Sequence, residues 1–196
     1  MERRNKGGVM KYFLTIILMV GLVSAGNWLI NGDFEQDLST GWTTTQGGSS
    51  ITIDRATTYE SDPDYEVRVE KGAGSGFATV SQTIDITTPG EFSFSIKAKL
   101  YAYDNNADTL TYAGTAVKII YCNTSGTLLG ETRICQFTAP CPWQNTSTCH
   151  LITVSDSLWH TYSFNLQTEL GNLPGVNPAN VKKVEVALYD TTAHTC

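Results

Sequence analysis

Two tyrosines set two residues apart, Tyr101 and Tyr103, close a run in which apolar and polar residues alternate. Phe92, Phe94, Ile96, Ala98 and Leu100 hold the even positions, and Ser93, Ser95, Lys97, Lys99, Tyr101 and Tyr103 hold the odd ones. In a strand this period of two puts the two sets on opposite faces. A polar face carrying two flat phenol rings and two ammonium groups can stack on the apolar face of a pyranose ring and hydrogen-bond its hydroxyls. By the same parity Tyr189 lies opposite Leu188 on a polar face. Trp143 falls in a Cys- and Pro-rich stretch, where an exposed indole can also stack on a ligand. The candidate contacts are therefore Tyr101, Tyr103, Lys97, Lys99, Tyr189 and Trp143. Tyr is also common in strands for packing reasons alone, so each has a structural reading beside the functional one.

Other chemistry finds less support. The three histidines, His150, His160 and His194, sit in no nucleophile or metalloprotease pattern. The sequence singles out no carboxylate pair of the kind that cleaves glycosides. An enzyme is not expected. Gly72-Ala73-Gly74-Ser75-Gly76 lies between two strand patterns rather than before a helix, so it reads as a hairpin turn and not a phosphate cradle. Asp104-Asn105-Asn106-Ala107-Asp108 matches the first half of an EF-hand loop, but Thr109 replaces the required Gly and Thr115 the required Glu. It too reads as a loop.

Four of the five cysteines, Cys122, Cys135, Cys141 and Cys149, fall close together, and Cys196 stands apart. Their spacing matches no common zinc pattern. They are disulfide candidates, with three pairings open and Cys196 left over. The oxidising compartment that this requires is implied by the start of the chain. Arg3, Arg4, Lys6 and Lys11 precede an apolar run from Tyr12 to Val23, which exits through Ser24-Ala25. That is the pattern of a secretory signal peptide over 1–25. The run is short for a membrane span, so a membrane is a partner only if the segment stays uncleaved. Secretion or cell-surface display is expected. The whole chain carries a formal net charge of −6, and losing 1–25 removes four bases and one acid. So acidic a surface repels phosphate backbones, and nucleic acid is not expected as a partner.

Positioning these residues falls to strands. Period-two segments recur from Ile51 to Leu188, separated by Gly, Asn, Asp, Pro and Ser clusters, and no helical period stands out. Residues 26–196 are expected to form one all-β module, an antiparallel β-sandwich, with a jelly roll among its possible closures. The stretch 122–150, with its cysteines and the acceptor triplets Asn123-Thr124-Ser125 and Asn145-Thr146-Ser147, reads as a Cys-rich insertion between two strands.

The opening Asn31-Gly32-Asp33-Phe34-Glu35, followed by Gly41-Trp42, resembles the start of carbohydrate-binding modules of the family four and family nine type. Those modules have a galactose-binding-like jelly roll. Val80-Ser81-Gln82, Pro89-Gly90, the strand from Phe92 to Lys99, Trp159-His160-Thr161-Tyr162 and Val184-Glu185-Val186-Ala187-Leu188 follow in the family's order. The resemblance implies non-catalytic binding of a polysaccharide or cell-wall glycan by a concave sheet. It also implies a structural Ca2+ near the first strand, with Asp33 and Glu35 in its site. Trp42 and Trp159 match positions expected to pack structurally. The family's last strand has no counterpart after Asp190, so the module is expected to lack it. The alternative is a surface adhesion module of the same fold with no sugar-binding activity.

Overall fold

The computed structural model describes residues 27–60, 63–104 and 110–194. The expected signal segment 1–25, Asp62, most of the acidic loop at 104–108 and Cys196 lie outside the described residues. The described chain is all-β. Its strands are β1 (Thr43–Gly48), β2 (Ile51–Ala56), β3 (Glu66–Lys71), β4 (Gly76–Asp85), β5 (Ser93–Lys99), β6 (Thr111–Cys122), β7 (Leu128–Phe137), β8 (Cys149–Thr153), β9 (Trp159–Asn165) and β10 (Lys183–His194). One short helix, α1 (Leu166–Leu170), follows β9 directly. Asn165 starts it, its Oδ1 accepting from the N–H of Gln167 (3.0 Å) and Thr168 (3.4 Å). Five residues are too few for a helical period to show in sequence.

Six strands form one sheet in the order β1-β4-β10-β6-β7-β8. All its pairs are antiparallel except β7–β8, which is parallel, so the purely antiparallel expectation fails at that edge. β10 is central and is paired on both sides, to β4 and to β6. The open edge expected from a missing last strand therefore does not arise beside it. Alternation along β4, β6 and β10 turns Val80, Val117, Ile119, Tyr121, Val184 and Val186 to one face, all buried. A second layer covers that face. It consists of two separate antiparallel pairs, β2–β3 and β5–β9. Phe94 and Ala98 from β5, Phe164 from β9 and Val67 and Val69 from β3 pack into the shared core. A Phe or Val side chain contributes about 1.5–3 kcal/mol when fully buried, and the partly buried Phe164, Val67 and Val69 contribute less. Leu166 and Leu170 of α1, with Leu173, Val176 and Val181, close one end of the core.

The stretch 122–150 is not an insertion hung outside the fold. It supplies β7, whose Ile134 and Cys135 are fully buried, and the start of β8. A polar chain ties this end together. Tyr121 Oη lies 3.2 Å from Thr132 Oγ1, which donates to Glu169 Oε1 (2.9 Å), and His150 Nδ1 meets the same oxygen at 2.5 Å. Asn172 Nδ2 donates to the other carboxylate oxygen (3.1 Å). Glu169 is thus buried with its partners in place, as a buried carboxylate requires.

The loop after β3 is built around a buried ammonium. Lys71 Nζ donates to the carbonyls of Gly72 (2.8 Å), Ala73 (3.1 Å) and Gly74 (2.6 Å). The Gly-rich stretch is therefore not the hairpin turn that its composition indicates but a pinned crossover, because β3 pairs with β2 in one layer and β4 with β1 and β10 in the other.

Candidate ligand groove

Because β2–β3 and β5–β9 are not hydrogen-bonded to each other, the second layer has a seam between β3 and β5. Two adjoining hollows, of about 380 and 600 Å³, open along it. Both are lined by Val67 and Val69 of β3, Lys99 of β5, Trp159 of β9 and Thr115 of β6. Thr115, Val117 and Leu188 face the seam from the inner side of the large sheet and form a floor for the smaller hollow. The hollows thus lie between two pieces of a layer.

Lys97 and Lys99 are exposed on β5, as their parity predicts, and both border the smaller hollow. Lys97 Nζ pairs with Glu60 (2.5 Å) and lies 5.9 Å from the centre of the Trp159 ring. Lys99 stands opposite Trp159 in the β5–β9 register. β5 ends at Lys99, so Tyr101 and Tyr103 lie just beyond the strand. They nevertheless project together. Their rings stack at 6.2 Å between centroids and 8° between planes, and they are 61% and 65% exposed. The segment that carries them is tied to the large sheet. Gln136 Oε1 accepts from Ala102 N–H (2.8 Å), and Gln136 Nε2 donates to the carbonyl of Asp156 (3.2 Å).

The larger hollow has one ionisable group at its wall that parity does not reveal as important. Asp190 follows Tyr189 on β10 and so points the other way, into the groove. Burial raises its carboxyl to about 7, opposed in part by the Lys71 and Thr191 N–H groups that donate to it. The Lys71 contact is 3.2 Å long. Burial in turn pushes the Lys71 ammonium down, and the nearby Asp190 charge counters it.

The rings of Tyr189 and Trp143 sit apart from the other candidates, although Tyr189 borders the smaller hollow. The Tyr189 side chain lies on the outer face of the large sheet, 6.2 Å from Trp143 and 6.4 Å from Phe77 between ring centres. Lys118 Nζ sits 3.7 Å from the Tyr189 ring centre, and the Arg133 guanidinium 4.8 Å from that of Trp143. Gly114 lets the indole come this close, since a Cβ there would meet it at 2.9 Å. This is a packed cluster of rings and cations on the side of the sheet away from the groove. Conversely Trp159, expected to be purely structural, is half-buried and lines the groove. Its partner in the register is the only clue to this, and a sequence does not print registers. Trp42 does pack, 6% exposed against Phe34.

Asp33 and Glu35 lie in a tight turn before β1. Asp33 Oδ1 accepts from Glu35 N–H (3.4 Å), and Glu35 Oε1 accepts from Tyr65 N–H (3.1 Å). Among the described residues no three His, Cys, Asp or Glu side chains converge as a metal site. Cys122, Cys135, Cys141 and Cys149 stand as thiols in this structure, with no disulfide joining them. Burial raises each thiol, that of Cys135 to about 12, so none is activated as a nucleophile.

No protein-family model matches the chain, and no curated protein matches it. Among solved structures it is similar to the crystal structure of the enzymatically active domain of bacteriophage CBA120 tailspike protein 4, at 15% identity and a TM-score of 0.47. That alignment covers 86% of this chain and 20% of the tailspike chain.

Proposed function

We propose that this protein is a secreted or cell-surface module that binds a poly- or oligosaccharide without cleaving it, in the groove between β3 and β5. The observation that carries the reading is the Tyr101–Tyr103 stack, two nearly parallel rings held more than half exposed beside a hollow lined by Trp159, Lys99 and Asp190. Leaving two large aromatic rings in water forfeits their burial, and a flat apolar sugar face restores it. Lys99, Thr115 and Asp190 then supply donors and acceptors for hydroxyls. Nucleic acid fits this site poorly, given the chain's net charge of −6.

The test is retention of the purified chain on insoluble polysaccharides and on a glycan array. The expected result is retention on one glycan class, lost in Tyr101→Ala and in Tyr103→Ala while both variants keep the wild-type melting temperature. Failure of the folded wild type to bind any glycan refutes the reading and favours a surface module with a protein or envelope partner. Release of reducing sugar from the retained glycan refutes the non-catalytic part.

A further inference from the structure

The turn that the family resemblance assigns to calcium already contains a cation of the protein's own. The side chain of Arg55, on β2, is only 19% exposed. Its Nη1 donates to the carbonyl of Phe34 (2.9 Å), and its Nη2 lies 3.8 Å from Asp37 Oδ1. The guanidinium covers the ring of Tyr65 at 3.8 Å from the centroid. Tyr65 in turn donates its N–H to Glu35. Arg55 thus joins the turn at 31–37 to the segment leading into β3.

Several other oxygens of the turn are also engaged. The carbonyl of Asn31 accepts from Trp42 Nε1 (2.9 Å) and from Phe34 N–H (3.2 Å). The carbonyls of Gln36 and Asp37 both accept from Asn31 Nδ2 (2.9 and 3.2 Å), and Asn31 Oδ1 accepts from Gln36 N–H (2.8 Å). Asn31 and Phe34 adopt φ of 52° and 58°, the left-handed conformation that turns these groups inward. A calcium ion needs six to eight oxygens at about 2.3–2.6 Å. Here each carbonyl and each carboxylate named already faces an N–H donor, and a divalent ion would sit beside a largely desolvated guanidinium.

We propose that Arg55 is the resident cation of this turn and that the fold holds its N-terminal turn closed with a guanidinium where the resemblance implies calcium. The planar fork suits the task, since it donates to the Phe34 carbonyl while its delocalised charge faces the Asp37 carboxylate and its plane covers the Tyr65 ring. The inference is independent of what the groove binds.

Thermal unfolding of the chain, followed by circular dichroism, tests it in a calcium chelator and in excess calcium. The wild type is expected to melt at the same temperature in both. Arg55→Ala is expected to melt several degrees lower, and Arg55→Lys in between, because one ammonium keeps the charge and loses the fork. Should the alanine variant not fold, the lysine variant and the wild-type comparison still decide. A rise in the wild-type melting temperature on adding calcium, or a calorimetric heat of calcium binding by the wild type, overturns the proposal. So does an Arg55→Ala or Arg55→Lys variant that melts with the wild type.

Discussion

Replacing Asp190 with asparagine should remove a pH dependence of stability that the wild type carries. Asp190 is half-buried on the central strand, with its carboxyl raised from 3.8 to about 7 by desolvation. Between these values the folded state holds a proton that the unfolded state has lost, so stability falls as pH rises. Its full proton-linked contribution is present below 3.8 and gone above 7. A tenfold change in an equilibrium corresponds to about 1.36 kcal/mol. Worked through for one site, the loss between about pH 5 and pH 8 is about 2–3 kcal/mol. The amide has nearly the same shape as the carboxyl and keeps an oxygen for the Lys71 N–H at 3.2 Å, but has no proton to lose. Other groups titrate in this window, so the quantity to measure is the difference between wild type and variant in urea unfolding at the two pH values. That difference should shift in favour of the Asp190→Asn variant by about 2–3 kcal/mol between the two, or about 5–10 °C in melting temperature for a domain of this size. An equal difference at both pH values would show that the carboxyl is not desolvated in solution, and that the groove wall is wetter than its geometry implies.

Three further outcomes follow from the packing. Ile134→Ala should cost about 2–5 kcal/mol in denaturant unfolding, because β7 is part of the main sheet and this side chain is fully buried; a cost well below about 1 kcal/mol would mean that 122–150 is peripheral after all. Gly76 has φ of 152°, and a Cβ there would collide with the carbonyl of Gly47 on the neighbouring strand. Gly76→Ala should therefore destabilise by about 1–3 kcal/mol, and an unchanged unfolding midpoint would contradict the close β1–β4 approach. Gln136→Ala frees the segment that carries Tyr101 and Tyr103, so glycan retention should weaken several-fold with little change in melting temperature. Unaltered retention would show that the two rings need no such tether.

Much of the fold is legible in the sequence. The apolar alternation of Phe92 to Leu100, Val117 to Tyr121 and Val184 to Leu188 reports which face is buried, because side chains in a strand must alternate. β7 was hidden because its inward positions include Thr132 and Gln136, polar residues that find partners only in the folded chain. α1 was hidden because five residues hold barely more than one helical turn. The parallel β7–β8 pair leaves no local trace, since pairing direction depends on where a chain goes and not on what it contains.

The same division runs through the site. The local sequence was enough to put Lys97, Lys99, Tyr101 and Tyr103 on the polar side of one strand and its extension, since parity is a property of neighbours along the chain. It could not join Trp159 and Asp190 to them, or separate Trp143 and Tyr189 from them. Those assignments depend on the β5–β9 register, on the face of the large sheet and on the seam between two halves of a layer. All three are relations between segments distant in sequence, and they exist only once the core has drawn the layers together.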